Sequence, residues 1–396
     1  MTNIFSEYGY QDPIGLKTIN QQKGELEVCT DCSGLFQNKG VVCNGDVSKA
    51  TEGFQTIAKQ KKLLGFEDDT TIMFGEGVVI NTEQSTPKYL TFTANTNNSS
   101  VGFRYWVEYV EPPIFDMQYR LGDSEEWTTY TVMDESNVVM IDLNEGESVQ
   151  FKGVNPKGFN DADATFGMYC MMGGSISASG DITSIVNGVG GDVALPFASF
   201  FGMFDGCTSL TTAPALPAKT LAENCYASMF YGCTSLTTAP ALPAETLAAY
   251  CYNGMFNVCT SLTTAPALPA ETLAEGCYAR MFSGCTGLTT APALPAETLA
   301  ENCYARMFSG CTLLTTAPEL PATMLTDNCY YGMFSECTSL NSITCLATNI
   351  SASDCTVEWV YDVAQNGTFT KASGVNDWTT GDNGIPDGWT VQEAQF

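Results

Sequence analysis

The sequence predicts a mainly β, multi-domain chain that ends in a solenoid of 26-residue coils. Three observations carry the prediction: a fixed internal period, regularly spaced short β-type segments ahead of it, and an apolar composition with few charges. Cys207, Cys233, Cys259, Cys285, Cys311 and Cys337 stand 26 residues apart, and Cys225, Cys251, Cys277, Cys303, Cys329 and Cys355 keep the same step. Met203-Phe204 recurs with that period as far as Met333-Phe334, and Leu210 as far as Leu340. A repeat of this length with fixed apolar positions marks a solenoid, because each unit buries its apolar face only against its neighbours.

Length and composition bound the rest. The 396 residues are more than one hydrophobic core usually organises, so several domains are expected. Hydrophobic residues make up 44% and charged residues only 15%, which places most of the chain outside the disordered class. Sixteen basic residues face 44 acidic ones, for a net charge of −28. Such a surface repels phosphate backbones, so neither nucleic acid nor an anionic membrane is an expected partner.

Histidine is absent from the whole sequence. A Ser–His–Asp triad and a Cys–His pair are therefore excluded, along with the commonest metal ligand. Carboxylate-only glycoside chemistry stays open in principle, but no local spacing of acids points to it. The expectation is a protein without enzymatic activity, with no catalytic residue and no cofactor. The N-terminus lacks the basic and apolar regions of a secretory signal, and no apolar window is long enough for a transmembrane helix. On that reading the chain stays in the compartment where it is made.

Residues 1–87 read as a small α+β module and resemble nothing familiar. Cys29, Cys32 and Cys43 are the one local cysteine grouping there. A single CxxC without a second pair or a histidine is a poor zinc site, so no metal is assigned. Residues 88–173 contain Tyr89–Thr93, Val101–Val107, Met117–Arg120, Trp127–Val132, Val138–Ile141 and Ser148–Phe151, short runs rich in β-branched and aromatic residues. Turn signals such as Gly122-Asp123 and Asn155-Pro156 separate them, so an immunoglobulin-like β-sandwich is expected. Residues 174–202 are expected to seal the first coil, as an open solenoid end exposes its core.

Within residues 203–346 one coil runs from Leu236 to Ser261. Leu236–Leu242 is short, extended and interrupted by Pro240, so any strand is brief. Leu247, Cys251, Met255 and Phe256 share one face at helical spacing, which predicts a helical or 3₁₀ turn or two from Glu245 to Phe256. Cys225, Met229, Phe230, Cys233 and Leu236 form the predicted structural core of a repeat. The cysteines there read as small buried apolar side chains, since their spacings of 8 and 18 residues match no zinc pattern. After Leu346 the register decays, and residues 347–396 read as a tryptophan-rich terminal cap. Asp377, Asp382, Asn383 and Asp387 offer oxygen ligands there, but not at the spacing of a calcium loop.

The string Cys225-Tyr-x-x-Met229-Phe230-x-x-Cys233-x-x-Leu236 resembles the core of BspA-like leucine-rich repeats. Cys-Thr-Ser-Leu-Thr-Thr-Ala-Pro-Ala-Leu-Pro-Ala is close to one variant of them. The resemblance extends over roughly residues 88–396. It implies a leucine-rich-repeat-like solenoid of the kind found in surface adhesins of gut anaerobes and in structural proteins of their phages. It further implies a phage virion fibre or decoration protein, anchored to other virion proteins through residues 1–87 and assembled as a homo-oligomer, a trimer by analogy. A bacterial surface adhesin is the alternative. The outward strand positions Thr237, Thr238, Thr263, Thr264, Thr289, Thr290, Thr315 and Thr316 are the candidate ligand face, for a host glycan or protein. The corners near Ala249-Tyr250, Glu275-Gly276 and Thr326-Asp327 vary more and would tune recognition.

Overall fold

A computed structural model describes residues 88–107, 114–134, 136–160 and 166–395, together with the backbone of residues 71–73 and 79–81. The chain divides into two compact units, Met1–Pro87 and Lys88–Phe396. In the first, β1 (Thr71–Met73) and β2 (Val79–Asn81) pair antiparallel, with Ile72 opposite Ile80. The expected α+β fold of residues 1–87 and the Cys29/Cys32/Cys43 grouping otherwise lie outside the described residues.

The second unit is mainly β, a β-solenoid with almost no helix. It opens with two sheets. One has six strands in the order β12 (Leu210–Thr212), β11 (Ile176–Ser179), β3 (Leu90–Ala94), β9 (Ser148–Lys152), β5 (Gln118–Leu121) and β6 (Thr128–Thr129). The other runs β10 (Phe166–Gly173), β4 (Ser99–Val107), β7 (Met133–Asp134), with β8 (Ile141–Leu143) also on β4. Alternation along β3 and β9 buries Leu90, Phe92, Val149 and Phe151 and turns Thr91, Thr93, Gln150 and Lys152 outward. Phe151 packs edge-on to Phe103 at 5.1 Å and to Tyr130 at 5.4 Å. Phe92 also lies 6.2 Å from Phe204 of the first coil, so this aromatic core runs on into the solenoid.

Residues 174–202 do more than close an end. They supply β11, which joins the six-stranded sheet, and a single helical turn, α1 (Ser184–Asn187). From Ala198 onward they already trace the first repeat of the motif described next.

The helical segment expected from Glu245 to Phe256 is replaced by a ladder of β-turns. Every fourth residue is left-handed: Tyr250, Gly254 and Val258 have φ of 53°, 59° and 59°, and the same phase recurs in each coil. Amides of Cys251, Asn253, Met255, Asn257 and Cys259 bond three residues back within the coil. Those of Tyr250, Tyr252, Gly254, Phe256 and Val258 donate instead to Glu275, Cys277, Ala279, Met281 and Ser283 of the next coil. Six successive interfaces carry five such bonds each, at 2.7–3.1 Å. A four-residue turn repeat puts i, i+4 and i+8 on one side just as a helix nearly does, which is why apolar spacing alone misassigns the segment. A left-handed non-glycine residue costs about 1–2 kcal/mol. An inter-coil hydrogen bond returns about 1 kcal/mol, and only stacked coils supply it.

Stacking continues inside. Tyr226, Tyr252, Tyr278, Tyr304 and Tyr330 form one column of parallel rings and Phe204, Phe230, Phe256, Phe282, Phe308 and Phe334 another, at 5.4–6.2 Å spacing. Cys225, Met229, Phe230, Cys233 and Leu236 are fully buried. The Sγ–H of Cys259 donates to the Phe230 carbonyl of the preceding coil at 3.1 Å, and Cys233, Cys285, Cys311 and Cys337 repeat the bond at 3.0–3.1 Å. The thiol is thus a cross-coil donor as well as a small apolar filler. All fourteen described cysteines are free.

Both ends of the ladder are closed. At the first coil the carbonyls of Ser199, Phe201 and Met203 accept from Phe159 N, Asn160 Nδ2 and Cys170 N. At the last, Glu358 N and Val360 N donate to Asn383 Oδ1 and the Asp382 carbonyl, while Trp359 Nε1 donates to Gly384 O. The parallel strands β13 (Ser342–Cys345), β14 (Thr368–Lys371) and β15 (Thr390–Glu393) carry the sheet side through residues 347–396.

Candidate functional site

The strand side of the coils is the candidate ligand face. Thr237, Thr238, Thr263, Thr264, Thr289, Thr290, Thr315 and Thr316 are all exposed. Each pair follows a buried leucine (Leu236, Leu262, Leu288, Leu314). In these four coils the contact is reduced to isolated bridges, and each extended run is cut short by a proline, which lacks a ladder donor. Single parallel bridges link Thr238 to Thr264, Thr264 to Thr290 and Thr316 to Ser342. Neighbouring coils in such bridges lie about 4.8 Å apart, which sets the spacing of the hydroxyl rows.

The face does not stop at the solenoid. Thr237 N approaches the Thr211 carbonyl, and Thr211 and Thr212 lie on β12, the end strand of the six-stranded sheet. There Thr212 stands opposite Ser177, Ser177 opposite Thr93, and Thr93 opposite Ser148. Ser177 Oγ and Thr211 Oγ1 share a hydrogen bond at 3.0 Å, and Asn95 Nδ2 reaches Thr211 Oγ1 at 3.1 Å. The hydroxyl rows of the coils therefore run on across β11, β3 and β9. The sequence treats the sandwich strands and the repeats as separate domains and contains no signal for this continuity, which rests on the pairing of β11 with β12.

Beside the threonine rows the coils are lined by proline. Between the fourth and fifth coils Pro292, Pro295, Pro318 and Pro321 border an open depression of about 500 Å³. Glu319 enters it where the other coils carry Ala215, Ala241, Ala267 and Ala293.

The more variable corners fall on the opposite, turn-ladder side. Tyr250, at a left-handed position, donates its hydroxyl to Glu275 Oε1, and that carboxylate is the main cause pushing the hydroxyl up to about 12. The Tyr250 ring lies over Gly276, where an added Cβ would stand 2.3 Å from Cε1. Arg306 stacks on Tyr331 at 5.1 Å and reaches Glu358 at 3.8 Å across Gly332. Asp327 Oδ1 accepts from Ser353 N. These side chains hold one coil to the next, a role that spacing in one sequence does not reveal.

Burial raises every core thiol and tyrosine hydroxyl for which a shift is resolved, Cys251 and Cys259 to about 12. They are neutral and closed to solvent at ordinary pH. Among the described residues no group of three or more Cys, Asp or Glu side chains is placed to hold a metal. Likewise no helix there is long and apolar enough to cross a membrane. Asp382 and Asn383 serve the last turn ladder as its acceptors instead. No family model, curated protein or solved structure matches this chain.

Proposed function

We propose that this is a non-enzymatic structural and adhesive protein, a phage virion fibre or decoration protein. In this reading it displays its solenoid outward and binds a repetitive glycan along the threonine face. The BspA-like leucine-rich-repeat assignment and the immunoglobulin-like character of residues 88–173 belong to the same proposal, as does anchoring to other virion proteins through residues 1–87.

One observation carries the binding reading. The threonine pair persists unchanged from Thr211-Thr212 through Thr315-Thr316, although the pair is exposed in the four coils from Thr237 onward and burial does not require it there. Other exposed positions have diverged over the same coils. Ser261 gives way to Leu313, Thr298 to Met324, and Ala293 to Glu319. Divergence around a retained exposed pair is the pattern of a surface held by a ligand. A glycan suits it because equal spacing of hydroxyls meets equal spacing of sugar units, without aromatic pockets or charge.

Two measurements test the two halves. Replacing Thr238, Thr264 and Thr290 with valine keeps shape and β-propensity while removing three hydroxyls. Binding to glycans on an array should fall at least about tenfold, as several lost hydrogen bonds of about 1 kcal/mol each imply. Unchanged binding would refute the face. For location, mass spectrometry of purified particles should find the chain at a fixed, symmetric copy number, whereas recovery only in a bacterial envelope fraction would make it a cell-surface adhesin.

A further inference from the structure

At the sandwich end of the hydroxyl face sits a cluster that the threonine rows do not explain. Trp127 and Tyr89 pack edge-on, their ring centres 4.8 Å apart. The Arg120 guanidinium lies 4.8 Å from the Trp127 ring centre and 5.4 Å from that of Tyr89. Lys152 Nζ lies 4.3 Å and 5.9 Å from the same two rings. Register places them together on the outward side. Gln118 on β5 pairs with Lys152 on β9, Arg120 pairs with Gln150, and Gln150 pairs with Thr91 of β3, which pairs in turn with Ser179 of β11.

Two like charges over one pair of rings repel each other, and the usual remedy is a carboxylate between them. None is used here. Arg120 Nε donates to Gln150 Oε1 at 2.8 Å and one of its terminal nitrogens to the Ser124 carbonyl at 3.1 Å. Among the described residues neither Arg120 nor Lys152 forms an ion pair. Asp123, Glu125 and Glu126 stand exposed in the adjoining loop without engaging either cation. What sets Arg120 and Lys152 apart is that they share one pair of aromatic rings, in a chain with 44 acids and 16 bases. Cation–π contact offsets part of the repulsion while leaving the N–H groups available: three on the guanidinium and all three on the ammonium.

We propose that Arg120, Lys152, Trp127 and Tyr89 form a clasp for the anionic substituent, carboxylate or sulfate, of an acidic glycan whose neutral stretches lie along the hydroxyl face. The inference rests on the glycan reading of that face and adds the charge of the ligand. Arginine supplies a planar fork for a carboxylate or sulfate, and lysine a point charge beside it. Exposed Lys88, next to Tyr89, adds a third positive group at the same end. The overall charge of −28 decides against a nucleic acid, whose charges follow every ~1.7 Å along the duplex and would meet repulsion everywhere beyond this one spot. A glycan with widely spaced charges meets the clasp once and a neutral surface elsewhere.

The test uses the full chain and a panel of linear glycans in matched forms. Uronates are set against their methyl esters, sialylated chains against desialylated ones, and sulfated chains against desulfated ones. Binding is measured by calorimetry at low and at physiological salt. At least one acidic form should bind about tenfold more tightly than its neutral partner, the value of one charge-assisted hydrogen bond. Added salt should shrink that margin. Lys152→Gln should lower the margin, and Arg120→Gln with Lys152→Gln should abolish it, with thermal unfolding of each variant confirming the fold. Arg120→Lys, which keeps the charge and loses the fork, should retain part of the margin for any ligand that binds.

Equal binding of acidic and neutral forms would overturn the clasp and leave the glycan face standing. A charge preference that survives the double substitution would place it elsewhere and overturn the clasp as well. Absence of binding by every form would overturn the face and the clasp together.

Discussion

Exchanging Gly276 for asparagine tests whether the turn ladder is tuned coil against coil. At this phase of the repeat the neighbouring coils already carry asparagine, at Asn224, Asn302 and Asn328, with φ of 55–57°. The left-handed backbone therefore accepts asparagine, at about 1 kcal/mol or less relative to glycine. Only the coil beneath Tyr250 has glycine, and there a Cβ would stand 2.3 Å and 2.4 Å from two ring carbons. Tyr250 is partly exposed, so the ring swings outward rather than forcing the backbone apart. That movement sacrifices its bond to Glu275 and the ring's cover over the glycine, together about 1 kcal/mol for a partly exposed contact. Gly276→Asn should thus cost about 2 kcal/mol in the native background. With Tyr250→Asn already present the same change should cost about 1 kcal/mol or less, because the pair then matches Asn302 over Asn328. Urea unfolding of the four proteins, followed by circular dichroism and fitted with a common slope, gives the coupling energy directly. Additivity within about 0.3–0.5 kcal/mol would show that Tyr250 and Gly276 do not meet, and the coil-by-coil account would fail.

Three further outcomes follow from the same structure. Core thiols and tyrosines ionise less readily when folded than when unfolded, so their stabilising effect is complete below the ordinary cysteine value of 9.0 and disappears as pH rises from there through about 12. The thermal midpoint should be level up to about pH 8 and fall steeply above about pH 9; an unchanged midpoint at pH 11 would contradict the burial. Cys285→Ala removes a buried sulfur and its bond to the Phe256 carbonyl, which Cys259 N still engages, so the loss should be only about 1–2 kcal/mol by chemical unfolding. Residues 88–396, expressed alone, should be soluble and unfold cooperatively, because the aromatic core runs from Phe92 into Phe204; aggregation would place the boundary elsewhere.

How much of this the sequence discloses depends on which interaction sets each residue. The columns of Tyr226, Phe230 and their equivalents are plain in the sequence, since stacking identical rings demands identical residues at a fixed step. The turn ladder is not. Glycine and asparagine at four-residue intervals are present, but Tyr250, Val258, Arg280 and Arg306 occupy the same left-handed phase and hide it. These residues are held there by hydrogen bonds to the next coil, a tertiary force that local propensity does not contain. β10 escapes notice for a related reason: Phe166–Gly173 reads as a mixed run of glycine and methionine, and it becomes a strand by pairing along eight residues of β4. The threonine face is legible residue by residue, whereas its extension onto the six-stranded sheet and the clasp of Arg120 and Lys152 depend on strand pairings between residues 30 (Arg120 with Gln150) to 88 (Thr91 with Ser179) positions apart.

The two sides of the coil answer to different constraints, and the contrast bears on where a partner sits. On the turn side, three large residues at left-handed positions stand over glycine at the same position one coil later: Tyr250 over Gly276, Val258 over Gly284, Arg306 over Gly332; Arg280 stands over Arg306 instead. Diversity there is absorbed by fitting neighbouring coils together, so variation does not by itself mark a recognition surface. On the strand side no such compensation exists. Thr238, Thr264 and Thr290 touch solvent, their bridges need only a residue of good β-propensity, and valine, isoleucine or tyrosine would serve the sheet as well. What those alternatives lack is a small side chain that both donates and accepts a hydrogen bond. On the proposed reading, the retained threonines supply hydroxyls that sheet pairing alone does not require, and the valine replacements at Thr238, Thr264 and Thr290 test whether a ligand uses them.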